Sequence, residues 1–145
     1  MSEHIRVMLP EEELTRRIAE MGAQISKDYE GDSVFIVCIL RGASFFACEL
    51  AKRITVPVTI DFMATSSYGS GTVSSGNVVV TQDLGISVEG RNVIVVEDII
   101  DSGRTLQKLS GLLAGRGAHS VRCCTLLDKP ARREVKFEAD FVGRC

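Results

Sequence analysis

The chain has 145 residues, a formal net charge of −2, and 45% hydrophobic and 25% charged residues. That length suits one domain with a real core, and the composition is that of an ordinary soluble globular protein. The slight negative charge argues against nucleic acid as the main partner, because an extended phosphate surface asks for a basic excess.

Cysteine usage narrows the class further. Cys38, Cys48, Cys123, Cys124 and Cys145 contain no C-x-x-C pair, and His4 and His119 lie far from them in sequence, so no zinc site is expected. Cys38 sits in an apolar run and reads as a small buried hydrophobe. The odd count, with no signal-like leader, fits a reducing cytoplasm. No stretch is long and apolar enough to cross a membrane as a helix.

In chain order, Pro10 followed by Glu11, Glu12 and Glu13 predicts a helix start, with acids against the positive end of the dipole. Leu14, Ile18, Met21, Ile25 and Tyr29 recur at helical spacing and predict one buried stripe. Val34 to Leu40 is continuously apolar and rich in β-branched residues, the pattern of a strand covered on both faces. A second helix is expected over Ser44–Ile54, with Phe46, Leu50 and Ile54 on one face, and the next strand over Val56–Met63. Ser66 to Gly76 is the one clear shift in composition, rich in serine and glycine, and predicts a loop. A short strand is expected over Asn77–Gln82 and a buried strand over Asn92–Val96 that ends in Glu97-Asp98. A helix over Arg104–Ala114 follows, with Leu106, Leu109, Leu112 and Leu113 inward and Gly115-Arg116-Gly117 as its stop. Further strands are expected over Val121–Leu127 and from Ala139 to Gly143. There is no internal repeat, so residues 1–145 read as one domain. The alternation predicts a three-layer α/β fold with a mostly parallel sheet.

The chemistry concentrates where the buried strand ends. In open α/β sheets, ligands bind beyond the carboxyl ends of the strands. Glu97, Asp98 and Asp101 stand at such an end, and Asp101-Ser102-Gly103-Arg104-Thr105 forms the turn into a helix. Free N–H groups there, with the hydroxyls of Ser102 and Thr105, suit a phosphate monoester, and Gly103 lets backbone approach it closely. Two acids before a phosphate loop would repel the anion alone. They make sense if they hold ribose hydroxyls, directly or through magnesium. Against this stands the bland alternative of an acidic strand end followed by a capped helix.

The run Val95-Val96-Glu97-Asp98-Ile99-Ile100-Asp101-Ser102-Gly103-Arg104-Thr105 resembles, without a gap, the 5-phosphoribosyl-1-pyrophosphate (PRPP) signature of type I phosphoribosyltransferases, in the hypoxanthine-guanine branch. The resemblance implies a purine-salvage enzyme that transfers the phosphoribosyl group of PRPP to hypoxanthine or guanine, giving IMP or GMP and pyrophosphate. It implies ribose and phosphate binding by Glu97, Asp98, Asp101, Ser102, Gly103, Arg104 and Thr105, with magnesium at Glu97 and Asp98. Leu40-Arg41-Gly42 matches the pyrophosphate turn, whose Leu40–Arg41 peptide would be cis; the plain alternative is an ordinary turn with a surface arginine. Ser67 and Tyr68 match the lid that excludes water, against the alternative of a flexible connection. Lys129 matches the lysine that donates to the purine 6-oxygen, which favours 6-oxopurines over adenine. Read alone, Lys129, Arg132 and Arg133 form a solvated basic edge. Asp101 matches the base at purine N7, and Ile99 packs by the base plane or simply in the core. A homodimer or homotetramer is also implied.

The resemblance runs from Ile5 to Gly143. The family continues beyond that position with an aromatic residue that stacks on the purine, a further acidic magnesium ligand and a basic pyrophosphate contact. A hood lacking them is expected to lose roughly 1–3 kcal/mol of base stacking. Two alternatives to turnover stay open: a PRPP-binding relic, and a nucleic-acid-binding regulator of the same fold, although no extended basic face or added winged helix is apparent.

Overall fold

The computed structural model describes residues 10–68 and 77–145. In chain order the elements are α1 (Glu11–Asp28), β1 (Val34–Ile39), α2 (Ser44–Ala51), β2 (Val58–Tyr68), β3 (Asn77–Gln82), β4 (Asn92–Ile100), α3 (Arg104–Gly115), β5 (Ser120–Asp128), a 3-10 turn (Pro130–Arg132) and β6 (Phe141–Arg144). Six strands form one sheet in the order β3-β2-β1-β4-β5-β6. All neighbours run parallel except β2 and β3, which pair antiparallel.

The period of two along each strand divides the core into two layers. Val34, Ile36 and Cys38 of β1, with Ile94 and Val96 of β4, face Ile18, Met21, Ile25, Phe46 and Leu50 of α1 and α2. Phe35, Val37 and Ile39, with Val93 and Val95, face Leu106, Leu109 and Leu113 of α3. Every residue of β1 is buried, as a strand with helices on both faces requires. Pro10 stands just before α1, where its carbonyl accepts from the Glu13 and Leu14 N–H groups at 3.0 and 3.1 Å.

Several boundaries differ from the sequence expectation. α2 stops at Ala51, although Ile54 is still buried. β2 runs five residues past Met63, because Thr65, Ser66, Ser67 and Tyr68 find backbone partners in Val80, Val79, Val78 and Asn77. The expected loop therefore does not begin at Ser66: pairing with β3 overrides the loop-forming composition of Ser66-Ser67-Tyr68. The remainder of that loop, 69–76, lies outside the described residues. β4 extends to Ile100 and so contains Glu97 and Asp98, since β5 offers pairing as far as Asp128. Leu112 is half-buried at the margin of the core.

The strand order sets the site. The chain leaves β1 toward β2 on one side and returns as β4 on the other, so the order reverses between β1 and β4. A crevice opens beyond the carboxyl ends of strands at such a point.

Candidate active site

Two segments meet in that crevice: the turn Leu40-Arg41-Gly42 after β1, and the end of β4 with the turn Asp101-Ser102-Gly103 into α3. The Leu40–Arg41 peptide is cis, as the resemblance implied. The Arg41 carbonyl accepts from the Ser44 N–H at 3.1 Å and the Ser44 hydroxyl at 2.9 Å, which ties the turn to α2. Gly42 lies directly against Asp98: a Cβ at position 42 would stand 2.7 Å from Asp98 Oδ2. Any larger residue at position 42 would have to push the Asp98 carboxylate aside.

Glu97, Ile99, Ile100, Asp101, Ser102, Gly103 and Thr105 line one pocket of about 220 Å³. Its lining is predominantly polar. Burial raises Glu97 most, and the adjacent Asp98 charge and a hydrogen bond with Asp98 add to it, so that Glu97 is pushed up to about 8. Asp98 Oδ1 accepts from the Ile99 N–H at 2.9 Å. The Asp98 carbonyl accepts from the Thr125 hydroxyl at 3.1 Å, and Thr125 is fully buried. Asp101 is exposed at the mouth of the pocket.

The turn Asp101-Ser102-Gly103 into α3 has the backbone form its residues predict. Gly103 precedes α3 with φ +85°, the left-handed region that glycine enters without steric cost. The Ser102 hydroxyl accepts from the Arg104 N–H at 3.2 Å. The opening N–H groups of α3 have no partners within the helix and carry its positive end toward the pocket.

The expected site residues do not all meet in this pocket. Arg104 belongs to the turn through its backbone, while its guanidinium is held outside by Glu134 at 2.7 Å. Ile99 lines the pocket itself. Lys129 stands half-buried beside the end of β4, where its N–H donates to the Ile100 carbonyl at 3.0 Å. Ser67 and Tyr68 lie at the end of β2, and their side chains fall outside the described residues. Among the described residues there is no cluster of three or more side chains able to hold a metal. Glu97 and Asp98 form a pair, which fits a magnesium ion that takes most of its oxygens from phosphates and water.

Arg133 is the residue that sequence reasoning missed. It is not part of a solvated edge. Its side chain is only 14% exposed and pairs with Asp128 at 2.7 Å. Its Nε also donates to the Phe137 carbonyl at 2.9 Å, and its Nη1 to the Asp101 carbonyl at 3.2 Å. Two of these three partners are backbone oxygens, which leave no signature in a sequence.

Comparison with known proteins places this geometry. The family model for the phosphoribosyl transferase domain matches residues 8–145. The hypoxanthine phosphoribosyltransferase of Buchnera aphidicola is 45% identical over 145 residues, covering 99% of this chain and 82% of that protein. The bifunctional protein TilS/HprT of Listeria monocytogenes is 51% identical over 138 residues; the match covers 95% of this chain but only 21% of that protein. The crystal structure of a hypoxanthine phosphoribosyltransferase from Staphylococcus aureus superposes with a TM-score of 0.90 at 44% identity, covering 94% of this chain and 74% of that one.

Proposed function

Because this chain belongs to the phosphoribosyltransferase family, we propose that it salvages purines by transferring the phosphoribosyl group of PRPP to hypoxanthine or guanine. The observation that carries this reading is the contact of Gly42 with Asp98. It brings a second backbone turn against the acid pair, beside the pocket that holds the phosphate turn. One crevice then offers a cradle for a monoester, acids for a diol, and a second turn for pyrophosphate.

In this mechanism the turn from Asp101 to Thr105 holds the 5-phosphate through backbone N–H groups and the hydroxyls of Ser102 and Thr105. Glu97 and Asp98 accept from the ribose hydroxyls. Leu40, Arg41 and Gly42 hold the pyrophosphate. Glu97 and Asp98 would hold a magnesium ion, which would supply positive charge against the phosphates. Lys129 donates to the purine 6-oxygen, and Ile99 packs beside the base. The N9 lone pair forms the new bond to C1 of the ribose as the bond from C1 to the pyrophosphate oxygen breaks. The N7 proton passes to Asp101, whose exposed carboxylate at the pocket mouth can receive it. Ser67 and Tyr68 belong to the lid that keeps water from the oxocarbenium-like centre.

The protein would work in the cytoplasm as a homodimer or homotetramer, with no nucleic-acid or membrane partner. Among the described residues no helix is long and apolar enough to cross a membrane. The test is pyrophosphate release by the purified chain supplied with magnesium, PRPP and hypoxanthine. Release that depends on the purine supports the reading. PRPP binding without release would leave only a binding protein.

A further inference from the structure

Resting on the functional reading above, we propose that Arg133 is a positioning residue that aims the N–H groups of the phosphate turn into the pocket. In a trans peptide the carbonyl of one residue and the N–H of the next point in opposite directions. Whatever holds the carbonyls of Asp101 and Ser102 therefore fixes where the N–H groups of Ser102 and Gly103 point.

Three consecutive residues hold those carbonyls. Arg133 Nη1 donates to the Asp101 carbonyl at 3.2 Å. The Glu134 and Val135 N–H groups donate to the Ser102 carbonyl at 2.9 and 3.4 Å. The same segment packs on the outer face of Gly103, where an added Cβ would meet Arg133 Cδ at 3.1 Å and Phe137 Cβ at 3.2 Å. Ser102 and Gly103 also line the pocket.

Arg133 is itself fixed at two further points, by Asp128 at 2.7 Å and by the Phe137 carbonyl at 2.9 Å. An arginine serving only as a partner for Asp128 would need neither carbonyl. Asp128 directly precedes Lys129, so one guanidinium links the phosphate turn to the segment that carries the proposed base-reading lysine.

The test uses the full chain and the variants Arg133→Met and Arg133→Lys. Amide hydrogen exchange is measured without ligand, and KM for PRPP and for hypoxanthine are measured separately. Arg133→Met should speed exchange at Glu134 and Val135, whose N–H groups donate to the Ser102 carbonyl of the turn, roughly tenfold or more and leave Val34–Ile39 unchanged. It should raise KM for PRPP roughly tenfold to a hundredfold, the loss expected for charge-assisted hydrogen bonds, with KM for hypoxanthine unchanged to within about threefold. Simple loss of folded protein would lower kcat and leave both KM values in place.

Arg133→Lys keeps a charge beside Asp128 but cannot make the three-way fork. It should melt near the parent and still raise KM for PRPP by about threefold or more, which covers the case in which Arg133→Met fails to fold. Unchanged exchange at Glu134 and Val135, or an unchanged KM for PRPP, overturns the proposal. Should the parent chain release no pyrophosphate, the functional reading falls alone, and the exchange measurement still decides the role of Arg133.

Discussion

Replacing Glu97 with glutamine should stabilise the protein at alkaline pH and leave its stability nearly unchanged in mild acid. Burial, the neighbouring Asp98 charge and their shared hydrogen bond push Glu97 from 4.5 to about 8. Between those values the folded chain keeps a proton that the unfolded chain has already released. The contribution of Glu97 to stability is thus fully present below pH 4.5, falls as pH rises and is lost above pH 8. At about 1.4 kcal/mol per pH unit, the whole interval is worth up to about 5 kcal/mol, and the partial solvent access of Glu97 trims this to about 2–5 kcal/mol. Glutamine has nearly the same shape, never ionises and can still donate to Asp98. Guanidinium unfolding of the parent and Glu97→Gln, extrapolated to water at pH 5 and pH 9, measures the difference directly. The variant should gain about 2–5 kcal/mol at pH 9 and less than about 1 kcal/mol at pH 5. An equal difference at the two pH values would refute the reasoning, because a packing effect does not titrate. The same variant should lose PRPP affinity if the acid pair holds the ribose diol.

Three further outcomes follow from the site and core geometry. Asp101→Asn should lower kcat about 10²–10⁴-fold and change KM for PRPP little, as measured by steady-state pyrophosphate release. Gly103→Ala places a Cβ in the left-handed region, 3.1 Å from Arg133 Cδ. It should cost about 1–3 kcal/mol in unfolding experiments and weaken phosphate-bearing ligands in calorimetry. Leu109 is fully buried under the sheet, so Leu109→Ala should cost about 2–5 kcal/mol of stability without moving KM for either substrate.

Much of this molecule is legible in its sequence, and the reason is the strength of local patterns. The fully apolar β1, the helical stripe Ile18-Met21-Ile25-Tyr29 and the row Leu106-Leu109-Leu113 each have one arrangement that buries them, and each takes it. The turn into α3 is equally readable, because Gly103 and its flanking hydroxyls and acids are contiguous. What escapes is decided by partners distant in sequence. Ser66-Ser67-Tyr68 has the composition of a loop yet becomes strand because β3 lies alongside. Glu97 and Asp98 fall inside β4 because β5 keeps pairing past them. Arg133 hydrogen-bonds to two carbonyls and a carboxylate that no charge pattern identifies.

The reversal of strand order between β1 and β4 has an energetic corollary. Both turns of the crevice grow from the two central strands of the sheet, which are also among the most deeply buried. A ligand bridging them is bound only while the middle of the molecule is intact, so occupancy and global unfolding are thermodynamically linked. At a hundred times its Kd such a ligand should add about 2.7 kcal/mol to the unfolding free energy. Melting curves taken with PRPP, nucleoside monophosphates or inhibitors would then rank their affinities on one scale, without a turnover assay.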